Sequence, residues 1–238
     1  MKSVTGMSPR TRARIAGAVY LLFFVTAVLG ALVAPSTGPS GPSGNAAAAA
    51  NGIVGHEALY QLGVALGLVS TVFYVVLAGL FYQMFRPVSR NLSLMVVLFS
   101  LVGSAITAVG SLLQLAPLDI LSGGTYLSVF SHEQLHSLSL LFLNLSLDAG
   151  HVALVFFGVF QLFLGYLIYK STFLPRIIGV LIAAAGVGWL TFLSPPLANY
   201  LLTVLEVVGF AAEASLMLWL LVMGVNVQRW NEKAGAAS

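Results

Sequence analysis

Apolar residues in this chain come in long blocks with few polar interruptions, and most charged residues gather between the blocks. A helix that is apolar all round has no face to give to water, so it is enclosed by protein or by lipid. The blocks cover about residues 15–34, 58–85, 92–116, 149–169, 176–194 and 200–227. Even the shortest, 176–194, is within the range of about 17–25 residues that crosses a hydrocarbon core of about 30 Å at 1.5 Å per residue. Each block therefore predicts a transmembrane helix.

The breaks between blocks carry stop signals. Arg86-Pro87 closes the second block, and 86–91 is long enough only for a hairpin turn. Pro117 is expected to end the third block and Pro195-Pro196 the fifth, while Pro175 suits a first helical turn. Between the first two blocks, Pro35 and the Gly-Pro-Ser repeat of 38–44 read as a loop, and Asn45 is placed to cap a short helix through the alanines that follow. Ser131 with Gln134 forms a capping-box pattern before a further apolar stretch. One helix over 132–169 would be about 57 Å long, too long for a single crossing. The fourth span is therefore expected at about 149–169, with an extra outer helical segment at about 132–147 as an extension, an interfacial helix or a re-entrant piece.

Charge turns this pattern into a topology. Only 7% of the 238 residues are charged and 59% are hydrophobic, whereas soluble domains carry about a quarter charged residues. The ten Lys and Arg form no run, which argues against nucleic acid as a partner. Lys2, Arg10, Arg12 and Arg14 precede the first span, Arg86 and Arg90 lie between the second and third, Lys170 and Arg176 between the fourth and fifth, and Arg229 and Lys233 follow the sixth. All fall on one side of a six-span chain, and the positive-inside rule makes that side cytoplasmic. A seventh span at 132–147 would put Lys170, Arg176, Arg229 and Lys233 outside. The expected fold is thus an all-α integral membrane bundle of six helices, N-in and C-in, with cytoplasmic tails at 1–14 and 228–238. Its expected partner is the lipid bilayer, in which it would sit as a multi-pass protein. The first block resembles a signal peptide, but it is long for one and Leu32-Val33-Ala34 is a poor cleavage site, so it reads as a retained helix. Tyr20, Tyr82, Tyr166, Tyr169 and Trp230 suit interfacial aromatic belts.

Candidate chemistry is sparse. The absence of cysteine removes disulfides, iron–sulfur clusters, thiolate zinc sites and cysteine nucleophiles. No phosphate loop, dinucleotide fingerprint or Ser–His–Asp order is present, and no cofactor is expected. His132-Glu133-Gln134-Leu135-His136 matches H-E-x-x-H, in which two histidines one turn apart bind zinc and the glutamate acts as base. A catalytic zinc needs a third protein ligand. The extended form of the motif is absent, because Ser139 and Phe142 stand at its later positions. A membrane-embedded metal-dependent hydrolase is the alternative that His132, Glu133 and His136 would support; a polar helix start is the simpler reading.

The second constellation is ionisable. Asp148 and His151 lie one turn apart near the outer end of span four, and Glu206 and Glu213 lie two turns apart on span six. Glu213 is expected near the midplane, where a carboxylate costs about 3 kcal/mol or more unless paired or protonated. Gln161, Gln114, Asn144, His151, Ser100, Ser104 and Thr107 are its candidate partners. Asp148, His151, Glu206 and Glu213 are the candidate binding residues of a small-molecule or ion site; the competing reading is polar contacts that only fix helix register. An accessory subunit without chemistry is the third alternative, and an enzyme is the less favoured class. Glycines recur as Gly63-Val-Ala-Leu-Gly67, as Gly158 with Gly165, and as Gly179 with Gly186, which predicts close helix packing within the bundle.

Several stretches in order resemble a bacterial integral-membrane family defined as domain of unknown function 4386. They are Arg14-Ile-Ala-Gly-Ala-Val-Tyr-Leu-Leu22, Arg86-Pro-Val-Ser-Arg-Asn-Leu92, Phe130-Ser-His-Glu-Gln-Leu135, Leu164-Gly-Tyr-Leu-Ile-Tyr-Lys-Ser171, Leu174-Pro-Arg-Ile-Ile-Gly179 and Trp219-Leu-Leu-Val-Met-Gly224. The resemblance implies six helices and no assigned activity. Glu213 matches the family; Asp148, His151 and Glu206 are not carried over from it. The family pattern has no histidine pair around Glu133-Gln134 and often carries a basic residue near Ser100, so this chain departs from it at both places.

Overall fold

A computed structural model describes residues 7–33 and 45–236. Lys2, Ala34 and the Gly-Pro-Ser loop of 35–44 lie outside the described residues. The helices are α1 (Pro9–Val33), α2 (Ala46–Gly55), α3 (Glu57–Phe85), α4 (Arg90–Leu121), α5 (His132–Ser171), α6 (Arg176–Trp189), α7 (Pro195–Val222) and α8 (Val227–Ala236), with short 3-10 turns at Thr125–Leu127 and Leu190–Leu193. Among the described residues there is no strand. Six helices are long and apolar enough to cross a membrane, the fifth of them counted through Leu193. The protein is an all-α integral membrane bundle.

Local signals act where the sequence placed them. The Asn45 side chain accepts from the Ala48 amide at 3.1 Å and starts α2. The Ser131 amide donates to the Gln134 side chain at 2.8 Å, and the Gln134 amide donates to the Ser131 hydroxyl at 3.3 Å. That reciprocal box opens α5.

Three boundaries differ from expectation, whereas the segment 132–147 is an extension of the fourth span, one of the three forms expected for it: α5 runs unbroken for 40 residues, about 60 Å. Even a tilt of about 40°, the top of the usual range, leaves it longer than one crossing. No proline interrupts 147–151, and Asp148 and His151 are exposed there. Pro117 does not end α4, which continues to Leu121. A proline forfeits one backbone bond, and membrane helices tolerate that loss where neighbours re-satisfy the freed groups. The pair Pro195-Pro196 both follows the fifth span and opens the sixth, since proline fits the first turn of α7. Residues past Val222 do not continue the span. Gly224, at φ 70°, takes the left-handed conformation glycine adopts without penalty, and the C-terminal tail then forms α8.

The chain divides into two compact units. Of the described residues, the first holds 7–22, 73–103 and 154–236. Its core stacks aromatic and aliphatic side chains: Tyr20 meets Phe81 edge-on at 6.1 Å, Phe85 stacks on Phe173 at 5.7 Å, and Tyr74 meets Phe157 at 5.1 Å. Among the described residues, all the basic ones belong to this unit. Of the described residues, the second holds 23–33, 45–72 and 104–153. Its core joins α2 to α3 and α5 through Ala49, Ile53, Tyr60, Val64 and Leu143. The Tyr60 hydroxyl donates to the Gln114 carbonyl and ties α3 to α4.

The predicted glycine contacts are real and lie inside the units. A Cβ on Gly165 would stand 2.6 Å from the Gly179 carbonyl oxygen, and one on Gly186 would stand 2.7 Å from that of Gly158. The two spacings of seven therefore face each other and let α5 and α6 touch backbone to backbone. In the other unit, Gly30 on α1 lies against the Gly63 carbonyl and the Gly67 amide, where a Cβ would meet them at 3.0 and 3.3 Å.

Candidate functional site

Glu213 sits on α7 within the first unit, at a position only partly accessible. The Gln161 side-chain amide, from α5, donates to its Oε1 at 2.5 Å. The Tyr20 hydroxyl, from α1, makes a second hydrogen bond to it. Three helices thus converge on one carboxylate, and both donors are neutral, so neither cancels its charge. Gln161 is 1% exposed, and its own side-chain oxygen has no hydrogen-bond partner among the described residues. A buried amide oxygen without a donor forfeits about 1–3 kcal/mol.

Ser100 adds a second such group. On α4, Gly103 packs against the Phe157 ring, and Phe99 packs against Phe163 at 5.7 Å. Ser100 lies between those contacts on α4, as Gln161 does between Phe157 and Phe163 on the antiparallel α5. The two residues therefore share one level of the bundle. Ser100 is fully buried, and its hydroxyl has no partner among the described residues. At one depth this unit thus presents a carboxylate and buried oxygens in an otherwise apolar interior. Chemically, each of these oxygens can accept a hydrogen bond.

The other residues singled out from sequence are placed differently. Asp148 and His151 do meet, at 4.0 Å, but both are exposed and belong to the second unit. Surface pairs of this kind contribute about 0–1 kcal/mol. Glu206 is exposed on α7, two turns from Glu213. His132 and Glu133 are exposed in the first turn of α5, and His136 is half-buried. Among the described residues no three His, Cys, Asp or Glu side chains come together as a metal site. The hydrolase alternative therefore lacks its third ligand.

Sequence reasoning named Gln161 and Ser100 among the candidate partners of Glu213 but not Tyr20. Tyr20 lies near the start of an apolar block and reads as a belt residue; in the fold it is buried, 1% exposed. Tyr166 and Tyr169, by contrast, are exposed as a belt requires.

Comparison with known proteins identifies a family and stops short of an activity. A protein of Archaeoglobus fulgidus described as uncharacterized is 28% identical over 152 residues, which are 63% of this chain and 76% of that protein. No solved structure matches the chain. The family described as "Domain of unknown function (DUF4386)" matches residues 15–224. That match takes in most of the first unit and the whole of the second, Glu213 included, and the chain belongs to the DUF4386 family.

Proposed function

We propose that this protein is a multi-pass protein of a bacterial cytoplasmic membrane, with both termini in the cytoplasm, that binds a small cation or a hydrogen-bond-donating molecule at Glu213. The observation that carries the reading is the Glu213 carboxylate, held by two neutral donors beside a Gln161 oxygen that has no donor of its own among the described residues. A carboxylate on a span costs several kcal/mol unless something offsets its charge. A bound cation or an ammonium-bearing ligand would offset it and would also satisfy the idle oxygen. The chemistry of this site would rest on Glu213, Gln161 and Tyr20, without Asp148, His151 or Glu206.

One observation favours a second reading. The amide–carboxylate bond joins α5 to α7, and such bonds fix helix register in membrane bundles whether or not a ligand is present. Melting of the purified protein, with and without alkali cations and small primary amines, separates the two. A binding site gives a ligand-dependent rise in melting temperature that Glu213→Gln abolishes while basal stability stays close to wild type. A register contact gives no ligand shift, and Glu213→Gln simply melts earlier.

A further inference from the structure

The turn between α3 and α4 borders a groove of about 680 Å³ in the first unit. Its walls include Tyr82, Arg86, Ser89 and Arg90 from the turn and its flanks, and Trp230 from α8. Among the described residues no acidic side chain lines it. Neither the Arg86 nor the Arg90 side chain has an ion pair or hydrogen bond among the described residues, and both are exposed. The nearby acid on α8, Glu232, accepts from Gln228 at 3.2 Å instead. The groove is also held in shape. The Trp230 indole N–H donates to the Met84 carbonyl at 3.0 Å, and Arg229 donates to the Thr172 carbonyl at 3.0 Å, so α8 is pinned against the ends of α3 and α5.

We infer that this groove seats the phosphate of one anionic phospholipid. Each of these guanidinium groups, unpaired among the described residues, offers the planar fork of donors that suits phosphate oxygens. The turn joins two spanning helices, so it lies at the headgroup level of the membrane, where Tyr82 and Trp230 are at home. A lipid, rather than a free anion, is favoured by what continues from Arg90. Leu94, Leu98 and Leu101 follow it at helical spacing on one face of α4 and are 44, 44 and 42% exposed. An acyl chain would lie along that stripe from a headgroup held at Arg90. This seat is independent of the Glu213 site.

The test is melting of delipidated protein titrated with phosphatidylglycerol, phosphatidylcholine or inorganic phosphate. Phosphatidylglycerol is expected to raise the melting temperature, with phosphatidylcholine and inorganic phosphate weaker. The double variant Arg86→Gln/Arg90→Gln is expected to bind phosphatidylglycerol roughly tenfold less tightly, while Arg176→Gln, outside the groove, binds it as wild type does. Where the double variant fails to fold, Arg86→Lys/Arg90→Lys keeps the charge and is expected to lose part of the affinity, because lysine lacks the planar fork. Equal stabilisation by phosphatidylcholine, equal stabilisation by inorganic phosphate, or unchanged affinity in the arginine variants overturns the assignment.

Discussion

The side chain of Gln161 on α5 reaches Glu213 on α7 across 2.5 Å, with the amide as donor and the carboxylate as acceptor. The residues are 52 positions apart in the chain. Removing the donor leaves the carboxylate with Tyr20 alone. Gln161→Ala is therefore expected to cost about 1–3 kcal/mol, within the range for a hydrogen bond to a charged group. Gln161→Glu sets a second carboxylate beside the first and is expected to cost more. Melting in detergent checks both; a Gln161→Ala protein as stable as wild type would show that the bond contributes nothing.

The glycine contacts between α5 and α6 give a contrasting pair of substitutions. Gly165→Ala places a methyl group 2.6 Å from a backbone oxygen that cannot swing away. It is expected to destabilise by roughly 1–3 kcal/mol, as overpacking does. Gly79→Ala on α3 meets nothing within 4 Å, so the better helix propensity of alanine should leave stability unchanged or raise it by up to about 1 kcal/mol. The same melting assay ranks them.

Orientation is open to a direct measurement because the chain has no cysteine to remove. Asn231→Cys on α8 and Ser122→Cys after α4 are both at exposed positions. An impermeant thiol reagent is added outside sealed right-side-out vesicles. With N-in, C-in topology it labels the Ser122→Cys protein and leaves the Asn231→Cys protein unlabelled. The reverse pattern would invert the topology. Ser137→Cys, exposed on the early part of α5, is expected to label from the same side as Ser122→Cys.

The start of α5 rests on a reciprocal pair of bonds between Ser131 and Gln134. Ser131→Ala removes the cap and is expected to cost about 1 kcal/mol locally. Amide exchange over 132–136 should quicken while exchange over 154–168 is unchanged. Uniform acceleration along α5 would mean that the cap holds the helix as a whole.

What the sequence determined by itself was everything that depends on neighbours along the chain. Blocks of about 20 or more apolar residues must be helical in lipid, because no other single segment satisfies its own backbone there. Asn45, the Ser131–Gln134 box and the glycine pairs seven apart act over one or two turns, and each was legible from the order of residues alone. Partnership across the bundle was decided by tertiary structure. Tyr20 looks like a belt residue by its place in α1, and only packing against Phe81 turns it inward toward Glu213. Pro117 reads as a stop, yet α4 passes it, since what a proline costs depends on whether neighbouring groups take up its lost bond. The unity of α5 was likewise undecidable from length: a helix of about 60 Å exceeds one crossing whether it bends, breaks or runs on. The carboxylate at Glu213 was visible as a costly group; which donors meet it was a matter of helix packing, which brings together residues that no local pattern relates.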